Sequence, residues 1–200
     1  MTDLFPPLDG IVEAFPKEKS LKNELKVTVR PLEKNDHQAL FDFFKAVPEN
    51  ERLFIKHKVQ NQEVIESWCR NIDFEKDFPI LALNEEGQIV AACTLHQNGV
   101  GWKRHIGRVS VFVHPEFRRK GLAYALVEDV MGVSRQLGLE KLEAEFVAEQ
   151  GRAMKVFAML GFSDLVHLPK YVMDMRGKHH DYLLMGIMLT TDIEYAGVGG

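Results

Sequence analysis

The residues with the most chemistry in this chain lie in one short run, Arg118-Arg119-Lys120-Gly121-Leu122-Ala123-Tyr124. An extended apolar stretch ending at Val113-His114-Pro115 leads into the run, and Leu122, Ala125, Leu126, Val130 and Val133 follow it at helical spacing. The pattern predicts a strand, a turn, and a helix over residues 120–137. The first N–H groups of a helix lack partners within it, and the helix dipole makes that end positive, so such a joint suits phosphate oxygens. Gly121 removes the side chain where backbone must approach an anion, and Ala123 keeps the first turn thin. Three consecutive cations on a chain of net charge −4 argue for one specific anion, not for a diffuse polyanion. A basic loop that merely precedes a helix would carry the same six residues. Neither G-x-G-x-x-G nor G-x-x-x-x-G-K-[ST] spacing occurs at this joint, which argues against the dinucleotide and P-loop modes.

A second set of reactive side chains falls on the segment Leu142-Glu143-Ala144-Glu145-Phe146-Val147, which reads as a strand. Residues two apart share a strand face, so Glu143 and Glu145 point the same way. Two carboxylates on one face of an interior strand suit proton abstraction. A position at the open end of a sheet, in water, explains them equally. His96, His105 and His114 are further proton-transfer candidates, each also explained as a surface or packing histidine. Cys69 and Cys93 show no spacing for zinc or a redox dithiol and read as buried hydrophobes, so no metal is expected.

These groups are positioned by a regular series of elements beginning at Leu25. Leu25, Val27 and Val29 alternate with polar residues in a strand stopped at Pro31. Asn35 or Asp36 can cap a helix carrying Leu40, Phe41, Phe43, Phe44 and Val47, which Pro48 ends, and a second helix fits residues 62–72. Residues 78–83 and 88–95 around Asn84-Glu85-Glu86-Gly87 read as a hairpin. Strands at 106–114 and 142–147 flank the helix at 120–137, a short helix fits 151–160, and strands at 166–173 and 182–189 turn at Gly177. This order predicts an α/β or α+β domain, a mixed sheet with helices on both faces. Residues 1–24, interrupted by Pro6, Pro7, Gly10 and Pro16, read as an irregular N-terminal arm, residues 25–190 as the domain, and 191–200 as a C-terminal tail.

The chain has 200 residues, 46% of them hydrophobic, enough for one sizeable core. Its acidic balance offers no basic field for nucleic acid, no apolar run reaches membrane length, and the start lacks the pattern of a signal peptide. The expectation is a cytoplasmic protein without nucleic-acid or membrane partners.

Arg118-x-x-Gly121-x-Ala123 matches [Q/R]-x-x-G-x-[G/A], the signature of the GNAT superfamily of N-acetyltransferases. The preceding Val111-Phe112-Val113-His114-Pro115-Glu116-Phe117 resembles the family's strand into that turn. Gln150-Gly-Arg-Ala153-Met-Lys-Val-Phe157-Ala-Met-Leu-Gly161-Phe162 is similar to its N-x-x-A-x-x-x-Y-x-x-x-G-F segment, and Val29-Arg30-Pro31-Leu32 with Asp36 to its opening strand and helix. The likeness covers most of residues 25–190.

The resemblance implies a mostly antiparallel sheet of about seven strands with splayed central strands. It implies acetyl-CoA as cofactor, with the pantetheine arm along Val111, Phe112 and Val113. The diphosphate would lie on Arg118, Arg119, Lys120, Gly121, Leu122, Ala123 and Tyr124, with Gln150 and Phe157 also at the cofactor. It further implies acyl transfer to an amine by direct attack on the thioester, with Glu145 as base at a position where related ribosomal-protein acetyltransferases use a glutamate. The family's tyrosine acid is matched by Phe157, which has no hydroxyl, so water or Tyr171 takes that role, or no acid is needed. The implied acceptor is an amine on a small molecule or a protein, and a homodimer is left open. Three other readings stay open: a non-catalytic acyl-CoA-binding regulatory module, motivated by Phe157; a protein lysine acetyltransferase, on a loose likeness of the opening segment; and a scaffold domain using the N-terminal arm.

Overall fold

The structure, a computed structural model, describes residues 7–52, 55 and 59–189. Helix α1 (Leu8–Glu13) and strand β1 (Lys17–Ser20) come first, followed by β2 (Lys26–Pro31), α2 (His37–Ala46), α3 (Glu49–Arg52) and α4 (Gln62–Arg70). The chain continues through β3 (Asp77–Asn84), β4 (Ile89–His96), β5 (Ile106–Val113), α5 (Leu122–Gln136), β6 (Lys141–Val147), α6 (Gly151–Met159), β7 (Ser163–Met173) and β8 (His179–Met188). Among the described residues, eight strands form one sheet in the order β1-β2-β3-β4-β5-β6-β8-β7, antiparallel throughout except where β5 meets β6. The expected mixed, mostly antiparallel sheet is present, with one strand more than the seven anticipated.

That extra strand lies in the segment read as irregular. Lys17-Glu-Lys-Ser has no apolar alternation, because β1 is an edge strand and charged side chains suit an edge. Lys17 and Lys19 reach Asp129 of α5, at 3.4 and 3.0 Å, and compensate a carboxylate that is only 8% exposed. Ile11 of α1 is buried in the main core. The tail at 191–200 and residues 1–6 lie outside the described residues.

Alternation decides which face each strand presents. On one face Phe78, Ile80, Leu95, Val109, Leu142, Ala144 and Phe146 pack with Leu122, Leu126 and Val130 of α5 and Phe157 of α6. On the other, Leu81, Ile89 and Ala92 lie under Leu40, Phe43 and Phe44 of α2 and Ile65 and Cys69 of α4. This second cover reaches β5 at Phe112, whose ring meets that of Phe44 at 5.9 Å. Asp36, expected as a helix cap, instead takes a two-pronged bond from Arg30, 2.7 Å on each oxygen, and accepts from the Glu33 N–H at 2.8 Å. Both cysteines are free and buried as expected, and burial raises the Cys69 thiol to about 11.

Candidate active site

Strands β5 and β6 pair for three residues only, Ile106 to Arg108 against Lys141 to Glu143, and then part. Strand β5 stays registered on β4 through Ala91 opposite Val113, so its other edge opens on a gap. The next residue, His114, donates its N–H to the Val90 carbonyl at 2.9 Å. Backbone direction alternates along a strand, so Phe112 and Ser110 also turn their backbone groups to β4, and Val111 and Val113 turn theirs to the gap. Of the three residues assigned to the pantetheine arm, two therefore face the gap with backbone. Phe112 contributes its ring to the neighbouring core instead.

At the mouth of the gap the chain turns into α5. Gly121 is its N-cap with φ 93 and ψ 0, Arg119 also has positive φ (64), and no side chain caps the helix. The first amide of α5 bonded back to the turn is that of Ala125, on the Gly121 carbonyl at 3.0 Å, which leaves the N–H groups of Leu122, Ala123 and Tyr124 at the open end. A Cβ on Gly121 would meet nothing within 4 Å, so the backbone is open at this position. Arg119 is exposed, and Lys120 lies over the Phe117 ring at 5.0 Å. Arg118 is already engaged: its Nε donates to the Val113 carbonyl, and its two terminal nitrogens donate to Glu51 of α3, 2.8 Å each. The Gln150 side chain accepts from the Val147 N–H at 2.9 Å, which leaves its NH2 as the group available to a ligand.

Deeper along the gap stands a polar group on the face not used by α5. Because Leu142, Ala144 and Phe146 are buried against α5 and α6, Glu143 and Glu145 point to the opposite face. Glu145 accepts from Arg108 of β5 at 3.1 Å and from the Tyr182 hydroxyl of β8 at 3.2 Å. Burial, then the negative charge of Glu145, pushes Tyr182 up to about 12, so it stays a hydroxyl donor at any working pH. Neither Arg108 nor Tyr182 stood out in the sequence, because the topology alone brings β5, β6 and β8 together. Tyr171 is 67% exposed at the rim, its ring 5.8 Å from that of Tyr182. Phe157 is 1% exposed, wedged between Phe146 and Phe162 at 5.1 and 5.0 Å, and presents no surface to a ligand. His105 is half-buried on the β4–β5 link and its carbonyl accepts from the Glu140 N–H, and buried His114 sits against Phe117.

A short helix and a hairpin close in on this region. Glu51 and Glu49 lie on α3, the first tied to Arg118 and the second to Arg176 in the β7–β8 turn. His180 of β8, 6% exposed, lies between Glu149 (2.6 Å from Nδ1) and Asp174 (3.0 Å from Nε2). Both neighbours are carboxylates and accept only, so the bond to Asp174 and then that to Glu149 hold the imidazole's pKa up and favour imidazolium.

The mixed sheet thus splits at its one parallel pair, and an uncapped helix terminus stands at the mouth of the split. Residues 38–162 match the acetyltransferase (GNAT) family. The chain belongs to that family. The GNAT domain of S. lividans PAT superposes with a TM-score of 0.72 at 18% identity, covering 86% of this chain and 96% of that one. The ribosomal-protein-S5-alanine acetyltransferase of Vibrio fischeri gives 0.71 at 18%, covering 81% and 92%. Spermidine N-acetyltransferase of Vibrio cholerae, solved with CoA and spermine, gives 0.68 at 18%, covering 82% and 95%. Among proteins of curated function, none matches the sequence. Among the described residues no helix is long and apolar enough to cross a membrane, and no side-chain cluster suits a metal ion.

Proposed function

We propose that the chain transfers an acetyl group from acetyl-CoA to an amine by direct attack on the thioester. The observation that carries this reading is the gap between β5 and β6, with the uncapped start of α5 at its mouth and Glu145 along its wall. The diphosphate lies on the N–H groups from Arg119 to Tyr124, with Arg118 exchanging Glu51 for a phosphate oxygen and Gln150 offering its amide. The pantetheine arm bonds the backbone of Val111 and Val113, and one of their N–H groups receives the charge that develops on the carbonyl oxygen.

An amine with a pKa of ~8 to ~10.4 must lose a proton before it attacks. Glu145 takes that proton, directly or through water, held in place by Arg108 and Tyr182. Tyr182 donates its hydroxyl to Glu145 and so orients that carboxylate. The thiolate leaves unaided or takes its proton at the rim, where Tyr171 stands. The proposed acceptor is an amine of a small molecule or a protein, and the proposed compartment is the cytoplasm, where free buried thiols persist. In thiol-release assays on an amine panel, Glu145→Gln lowers kcat roughly a hundredfold or more while the Kd for CoA stays the same. Unchanged kcat in that variant would remove Glu145 from the chemistry. CoA binding with no turnover on any amine would favour the non-catalytic module.

A further inference from the structure

One polar chain beside the gap plays no part in the reaction described above. Asp77, His96 and Ser110 come from β3, β4 and β5, brought together because Asp77 registers on His96 and Thr94 on Ser110. His96 Nδ1 lies 2.5 Å from the Asp77 carboxylate, and its Nε2 lies 3.1 Å from the Ser110 hydroxyl. A carboxylate only accepts, so Nδ1 carries the ring proton, and in the neutral ring Nε2 is left with a lone pair aimed at the Ser110 O–H. Carboxylate, imidazole and hydroxyl in this sequence form the constellation that activates a serine nucleophile, and such a constellation is recognised by geometry and not by fold.

Its position gives the constellation something to act on. Ser110 lies on β5 immediately before Val111, whose N–H points into the gap. A nucleophilic serine followed by a residue whose backbone N–H stabilises the oxyanion is the arrangement that acyl-transfer sites use. Ser110 is half-buried on the face that carries Arg108 and Glu145, so its hydroxyl is not sealed in the core. Arg108, opposite His96 in the register, is turned to Glu145.

We propose that Ser110, with His96 and Asp77, is a second acyl-accepting site that hydrolyses the bound thioester when no amine is present. The inference rests on the acetyl-CoA reading above. Ser110 Oγ attacks the thioester carbonyl carbon, and its proton passes to His96 Nε2. The C–S bond breaks, and the imidazolium returns the proton to the thiolate, leaving acyl-Ser110 and the free thiol of CoA. Water then attacks the ester and gives its proton to His96, the ester C–O bond breaks, and Ser110 Oγ recovers the proton. The sum is thioester plus water giving thiol plus carboxylic acid.

The test is to incubate the full chain with acetyl-CoA and no amine, follow free thiol, and map the acid-quenched protein by mass spectrometry. The expected result is steady thiol release with one acetyl group on Ser110. Ser110→Ala abolishes both, and His96→Gln lowers release on the order of a hundredfold. Asp77→Asn keeps the nucleophile and slows its acylation. Equal release from Ser110→Ala and the wild type, or an acyl group found only elsewhere, overturns the inference. Calorimetry of the wild type with CoA separates the two levels: if CoA binds and Ser110 is never acylated, this site falls and the cofactor reading stands, whereas if CoA does not bind, both fall.

Discussion

The two sides of the gap are held together by different forces. On the β4–β5 side nearly every inward residue is sealed, with Phe78, Ile80, Cys93 and Leu95 fully buried under α5. On the β7–β8 side Leu165, Tyr171, Met173, Met175 and Met188 are exposed. The hairpin turn is fastened by charges instead: His180 to Glu149 and Asp174, Arg176 to Glu49, and Asp181 to His167 and the Lys170 N–H. Apolar packing has little dependence on pH, and titrating pairs depend on it strongly. The side proposed to hold the cofactor is built as a fixed wall. The β7–β8 side is attached by fastenings that respond to protons and salt.

The sharpest way to break this contrast is to cut equal side chains from the two sides. Leu95→Ala in β4 should cost about 2–5 kcal/mol in chemical denaturation, because it empties a fully buried site in the core under α5. Met173→Ala on the exposed hairpin should stay within about 0.5 kcal/mol, and a large loss there would contradict the picture of a hairpin that packs little. The next effect is one of pH. His180 has a raised pKa, so its contribution is full below the ordinary 6.5 and is lost as pH rises through the raised value. Glu149 and Asp174, both lowered chiefly by their bonds to His180, contribute fully above their ordinary 4.5 and 3.8, and lose that as pH falls. His180→Asn should therefore lower Tm most between about pH 5 and 6.5, with the difference from wild type shrinking in alkaline buffer. A difference independent of pH would mean that His180 is only a packing residue. A modest effect is expected at Arg118. Glu51→Gln releases the guanidinium for a phosphate and should tighten CoA binding by up to about fivefold, in keeping with an ion pair worth ~1 kcal/mol or less. Weaker binding would show that Glu51 instead positions Arg118 for the ligand.

Most of the fold was legible because its helices and inner strands carry apolar residues at periods that only one element satisfies. The alternation of Val27 and Val29 and the helical spacing along α5 are examples. The edge strand β1 and the four-residue α3 were missed for one physical reason: both are polar, and pairing with distant charges holds them, as with Lys19 to Asp129 and Glu51 to Arg118. The turn into α5 was readable because its residue pattern is local in sequence. The surroundings of Glu145 were not, since Arg108 and Tyr182 each lie 37 residues away and meet it only through the sheet order. The Asp77, His96 and Ser110 chain was hidden in the same way, although His96 was singled out by type.

Amide hydrogens at the start of α5 are proposed to grip the diphosphate of CoA, and titration calorimetry of the wild type against Gly121→Glu checks this. Gly121 has room for a side chain, so the variant meets no steric block; it adds backbone strain at φ 93 and a negative charge where the diphosphate would sit. The account predicts that wild type binds CoA and that the folded variant binds on the order of a hundredfold more weakly, about 2.7 kcal/mol. Equal affinities in the two proteins, or no CoA binding by wild type, would contradict it.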